Sequence, residues 1–119
     1  MLSFELPGDA TFTEQARIDE VFAEPGFGVH ITDHMAVADW SITTGWGNDR
    51  IVINQPLGLG PGSAVFHYAQ EVFEGLKAYR HADGSVWLFR PEKNGERLAN
   101  SARRLALPQL PICLLYTSL

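Results

Sequence analysis

Lys77-Ala78-Tyr79-Arg80-His81-Ala82-Asp83-Gly84-Ser85-Val86-Trp87-Leu88-Phe89 is the stretch from which the fold is most readable. Two short runs in which aromatic residues alternate with others flank an Asp-Gly pair. Asp-Gly supplies the positive φ angles of a tight antiparallel turn, so the stretch predicts a β-hairpin. Pro91 follows at once. Its fixed φ and missing N–H suit the first turn of a helix, where that N–H would have no partner anyway. Leu98, Ala102 and Leu105 then recur at i, i+4 and i+7, which predicts one buried helical stripe. Gly95 inside this helix costs about 1 kcal/mol against alanine, so a loose first turn is expected. Pro108 ends the helix.

Upstream of the hairpin the pattern is harder to type. Val65, Phe66, Val72 and Phe73 fit neither period, and Ser63 to Phe73 reads as a short strand or coil followed by a helical turn ending near Gly75. Pro56 to Gly62 is a glycine- and proline-rich connection. Arg50 to Ile53 reads as a strand, and Thr44 to Asp49 as turn chemistry. Within Val29 to Trp40, Met35, Val37 and Asp39 alternate with Ala36, Ala38 and Trp40, a period of two that predicts a strand. Ile18, Val21 and Phe22 form a helical stripe that Thr13 is placed to cap and Pro25-Gly26 stops. Residues 1–12 read as an arm with a turn at Pro7-Gly8-Asp9. Together these elements predict an α+β fold, a mostly antiparallel sheet with packed helices.

At 119 residues, with 45% hydrophobic and 19% charged side chains, the composition is that of one globular domain. A net charge of -5 with no basic cluster argues against nucleic acid and anionic membranes as partners. The single cysteine, Cys113, allows no internal disulfide and suits a reducing compartment. The first residues lack a basic start and an apolar core, so no signal peptide is read there. A cytoplasmic location is expected.

His67-Tyr68-Ala69-Gln70-Glu71-Val72-Phe73-Glu74-Gly75-Leu76-Lys77-Ala78-Tyr79 mixes large rings with charges that cost free energy to bury unpaired. With Leu88-Phe89-Arg90-Pro91 and Asn94-Gly95-Glu96-Arg97-Leu98, this run resembles the branched-chain amino-acid aminotransferases. The resemblance covers about Gly26 to Pro111. It implies the small N-terminal domain of a fold-type-IV enzyme, similar to the D-amino-acid aminotransferases, which uses pyridoxal 5'-phosphate. On that basis residues 1–111 are expected to be this domain. Residues 112–119, where the match stops at once, are expected to be a tail of other origin. The implied activity is transamination of leucine, isoleucine and valine with 2-oxoglutarate, in a homodimer, with amino acids and 2-oxo acids as small-molecule partners.

The resemblance assigns Arg97 to the cofactor phosphate, and Phe27, Tyr68 and Phe73 to the pocket for the branched side chain. A guanidinium suits phosphate because its planar fork binds oxygens in pairs. From the residues alone, however, an arginine on a helix is more often solvated, and the three rings would read as core aromatics. Arg103 and Arg104 are read as surface or interdomain groups. Lys77 and Lys93 are the chain's lysines, and the resemblance assigns the Schiff-base role to neither. The implied Schiff-base lysine lies past residue 119, so this chain is expected to carry no catalytic residue and to be inactive alone.

His30 and His34 are spaced i, i+4, but a metal pair at that spacing needs a helix, and the surrounding pattern is that of a strand. No metal site is expected. His67 is read as a packing or hydrogen-bonding residue rather than a general base, and Glu74 as structural. Gly58 to Gly62 lacks dinucleotide-binding spacing. Two alternatives stand beside the main reading. One is another enzyme of the same fold, a D-amino-acid aminotransferase or an aminodeoxychorismate lyase. The other is a non-catalytic ligand-binding module.

Overall fold

The computed structural model describes residues 4–112. Its elements are α+β in kind, with antiparallel strands and a few helices. They fall into two compact units, Met1–Leu57 and Gly58–Leu119. The expected sheet is realised as two separate two-stranded sheets, one in each unit.

In the first unit the chain turns at Gly8, where the Ala10 N–H donates to Pro7 O at 3.0 Å. Helix α1 then spans Gln15–Ala23, β1 His34–Ser41 and β2 Gly45–Ile53. Thr13 does not cap α1. The cap position is Glu14, and both the backbone N–H and the hydroxyl of Thr13 donate to the Asp33 carboxylate, at 2.7 and 2.6 Å. A carboxylate facing two donors outcompetes the weaker geometry of a hydroxyl at a helix end. The Thr13 donors also lower the Asp33 pKa below its ordinary value.

The Gly45-Trp46-Gly47 stretch, read as turn, is the start of β2, and the turn proper is Ile42 to Thr44. Its glycines are tolerated because the ladder has a bulge close by. Val37 pairs with Arg50 and Asp39 with Gly47, so Asn48 and Asp49 together oppose Ala38. Asn48 takes φ +52°, a left-handed angle that asparagine tolerates better than most residues. Asp39 holds the irregularity in place. It accepts from Asn48 Nδ2 at 2.5 Å and from Arg50 Nη1 at 3.0 Å.

In the second unit, α2 spans Ala64–Tyr68, β3 Ala78–Arg80, β4 Val86–Leu88 and α3 Pro91–Arg104. The helical turn therefore comes before the irregular stretch, not after it. Helix α2 closes at Ala69, whose φ of +46° turns the chain out of the helix, and no regular structure follows until Ala78. His67 makes a local hydrogen bond of the kind expected within the second unit, where its Nε2 meets the Pro61 carbonyl at 2.7 Å.

The hairpin forms as predicted, with Ala78 opposite Leu88 and Arg80 opposite Val86. Gly84 takes φ +85°, and the Asp83 carboxylate accepts from the Ser85 N–H at 2.9 Å and hydroxyl at 2.7 Å. Helix α3 starts with Pro91 in its first turn, as read. Its glycine has a packing role that the pattern hides. Gly95 is buried, and a Cβ built there would lie 2.8 Å from Ile112 Cγ2. Ala102 is the buried apolar residue of the described chain at 3% exposure, whereas Leu105 of the same stripe is 40% exposed. The tail read at 112–119 lies, from residue 113 onward, outside the described residues.

Candidate functional site

The site is built in the second unit by α3 and the irregular stretch before β3. Asn94 and Arg97 are three residues apart, hence on one face of α3. Glu74 reaches that face. Arg97 Nε donates to Glu74 Oε2 at 2.6 Å, and Arg97 Nη2 donates to Glu74 Oε1, so the two groups meet fork to fork. Asn94 Nδ2 donates to Glu74 Oε1 at 2.8 Å and to the Gly75 carbonyl at 2.8 Å. One asparagine thus ties both the side chain and the backbone of the stretch to the helix.

The two partners differ in exposure. The Glu74 side chain is 4% exposed and that of Arg97 is 68% exposed. A carboxylate withdrawn from water raises its own pKa unless donors favour the charged form. Here the Arg97 bonds win, with Asn94 adding to them, and the Glu74 pKa falls from 4.5 to about 2. The Arg97 pKa is raised by the same bond and by the carboxylate's charge.

Beside this pair runs an open groove of about 470 Å³. Val72 and Phe73 line one side. Arg97, Asn100, Ser101 and Arg104, at i, i+3, i+4 and i+7, line the other along α3. Gln70 Nε2 donates to the Leu105 carbonyl at 2.9 Å and pins the stretch to the end of the helix. Glu71 also faces the groove. Two acids and two arginines then leave no net charge at the site, so an anion would be selected by donor geometry and not by bulk potential.

Of the residues singled out from sequence, Arg97 and Phe73 are brought together on this groove. Tyr68 closes α2 off the groove and is 82% exposed. Phe27 lies in the first unit between Gly26 and Gly28, both at positive φ, and is 97% exposed. None of the three rings is a core residue, since Phe73 is itself 86% exposed. Two groups at this site have no site role on the sequence alone. Glu74 carries the fork to Arg97, a contact across 23 residues with no local signature. Arg104, read from sequence as a surface or interdomain group, lines the groove seven residues along α3 from Arg97.

Neither lysine sits in a desolvated pocket. Lys93 Nζ donates to Glu96 at 2.7 and 2.9 Å, and Lys77 Nζ lies 5.2 Å from the Tyr79 ring centroid. Among the described residues, no helix is long and apolar enough to cross a membrane.

No family model matches the chain. Curated proteins do. The chain is 55% identical over 92 residues to the probable branched-chain-amino-acid aminotransferase of Streptomyces coelicolor, covering 77% of this chain and 25% of that protein. It is 47% identical over 110 residues to the branched-chain-amino-acid aminotransferase of Mycolicibacterium smegmatis, covering 92% of this chain and 30% of that protein. The cytosolic branched-chain-amino-acid aminotransferase of Saccharomyces cerevisiae is 45% identical over 98 residues, 82% of this chain and 26% of that protein. These matches place the sequence among the aminotransferases. Within that class it belongs to the branched-chain-amino-acid aminotransferase family. The chain spans between a quarter and a third of the length of these three relatives.

Proposed function

We propose that this chain contributes the small domain, residues 1–111, of a fold-type-IV, pyridoxal-phosphate-dependent transaminase. The enzyme exchanges the amino group between leucine, isoleucine or valine and 2-oxoglutarate. On this reading it works in the cytoplasm as a homodimer, and residues 112–119 are a tail of other origin, whose first residue, Ile112, packs against Gly95. The observation that carries the proposal is the groove that sets Phe73 beside Arg97, together with relatives named for this activity.

The residues present fit a phosphate. Arg97 is 68% exposed, and both bonds to Glu74 use its Nε–Nη2 edge. Nη1 lies outside that fork and, among the described residues, has no hydrogen-bond partner, so it can donate to a phosphate oxygen. Pyridoxal phosphate, when bound, supplies the electron sink that labilises the substrate Cα proton. The chain's own residues bind and select. Phe27, Tyr68 and Phe73 offer exposed ring faces to an aliphatic side chain. One methylene more or less against apolar rings changes binding by about 1–3 kcal/mol, so all three branched substrates are accepted.

The test is a graft. Residues 1–111 replace the matching segment of the Mycolicibacterium smegmatis relative, and the product is assayed with L-leucine and with D-alanine, 2-oxoglutarate as acceptor. Transamination of L-leucine and not D-alanine is expected. A folded graft that prefers D-alanine, or uses neither, would refute the reading. In parallel, the 119-residue chain is incubated with pyridoxal phosphate, reduced with borohydride and mapped by mass spectrometry. A stoichiometric adduct on Lys77 or Lys93 would refute the division of roles, because a lysine competent for that chemistry needs a lowered pKa.

A further inference from the structure

We infer that Glu74 is a positioning residue for Arg97: its carboxylate locks the Nε–Nη2 edge of the guanidinium and thereby presents Nη1 to a phosphate. The inference rests on the proposal that Arg97 holds the cofactor phosphate, and deepens it.

The ion pair is not of the ordinary surface kind. Pairs with both partners in water are loose and contribute little. Here the carboxylate is 4% exposed and takes three donors, Arg97 Nε, Arg97 Nη2 and Asn94 Nδ2. The Asn94 bond to the Gly75 carbonyl fixes the backbone next to it. The buried member of the pair is therefore the template, and the exposed arginine is ordered against it. An arginine already ordered loses less rotamer freedom when an anion arrives, so the ligand is bound more tightly than by a freely rotating one. Lysine has no second edge and cannot divide these two tasks.

A different role predicts the opposite sign. If Glu74 only offsets the charge of Arg97, removing its charge relieves repulsion and tightens anion binding. If it positions Arg97, removing it weakens anion binding.

The experiment uses the full 119-residue chain with inorganic phosphate as probe, followed by ¹⁵N–¹H NMR of the arginine side chains. In the wild type, phosphate should shift the Arg97 Nη1 signals saturably while the Nε–H signal keeps the position set by its bond to Glu74. Glu74→Gln and Glu74→Asp should each weaken the phosphate response about tenfold, the low end of what an outer-shell orienting partner contributes. Asp keeps the charge but is too short to keep the fork, so the two variants should agree. The inference is overturned if phosphate displaces Glu74 from Nε in the wild type, a measurement that needs no variant to fold. It is also overturned if Glu74→Gln binds phosphate equally or more tightly, or if Glu74→Asp behaves as wild type. Arg97→Lys separates the two levels. Loss of the response in Arg97→Lys with no effect of either Glu74 variant sinks the positioning role alone. A response unchanged in Arg97→Lys sinks the phosphate assignment, and the positioning role with it.

Discussion

Replacing Gly95 by alanine sets two effects of similar size against each other, and the structure decides between them. Alanine gains about 1 kcal/mol of helix propensity over glycine. The new Cβ would meet Ile112 Cγ2 at 2.8 Å, Cγ1 at 3.3 Å and Cβ at 3.5 Å. Favourable carbon contacts begin near 3.5 Å, so Ile112 must retreat by roughly 0.7 Å or more. The clashing atom is a branch methyl on a stiff χ1, which cannot swing aside without moving the residue. Ile112 is 38% exposed, so more than half of its surface is covered and at stake. Overpacking of this kind costs typically 1–3 kcal/mol, which exceeds the propensity gain. Gly95→Ala should therefore destabilise the chain by about 1 kcal/mol, the difference between these two figures at mid-range. In an Ile112→Ala background the clash is gone, and the same substitution should stabilise by about 1 kcal/mol. Urea titration of all four proteins by far-UV circular dichroism measures this cycle. A Gly95→Ala effect of the same sign and size in both backgrounds would refute the packing argument, because only propensity would then remain.

Two further outcomes are expected. The Glu74 pKa is depressed to about 2 from 4.5. Its contribution is fully present above pH 4.5 and is lost as pH falls toward 2, since protonation uncouples Arg97. Subtracting the stability–pH profile of Glu74→Gln from that of wild type isolates this group from Asp33, Asp39 and Asp83, whose pKa values are also lowered. A flat difference through that window would count against the pair. At the β1–β2 bulge, Asn48→Ala puts a β-carbon residue without a local hydrogen bond at φ +52° and should cost about 1–2 kcal/mol. Asn48→Gly should cost less, and amide exchange of Arg50 and Val37 reports the difference.

The elements legible in sequence are those whose causes are local. Asp83-Gly84 demands a tight turn, and the hairpin is there. Pro91 and the apolar spacing after it specify α3. Reading failed where a residue's local preference is overridden by a partner elsewhere. Thr13 has the chemistry of a cap but is taken by Asp33, 20 residues away. Gly47 looks like a turn residue, yet pairing with Asp39 across the ladder holds it in β2, whereas Gly45, opposite Ser41, keeps the positive φ of a turn glycine, +72°. Helix α2 has five residues, too few for any period to show.

The sequence by itself determined the family, the hairpin, the helix after it and the candidate residues, because motifs and turn chemistry are properties of neighbours along the chain. Only the tertiary structure decided that Arg97 is forked to Glu74 and shares a groove with Phe73, and that Gly95 makes room for Ile112. Those are contacts between segments far apart in sequence. Their strength depends on burial and geometry, which no spacing of residues encodes.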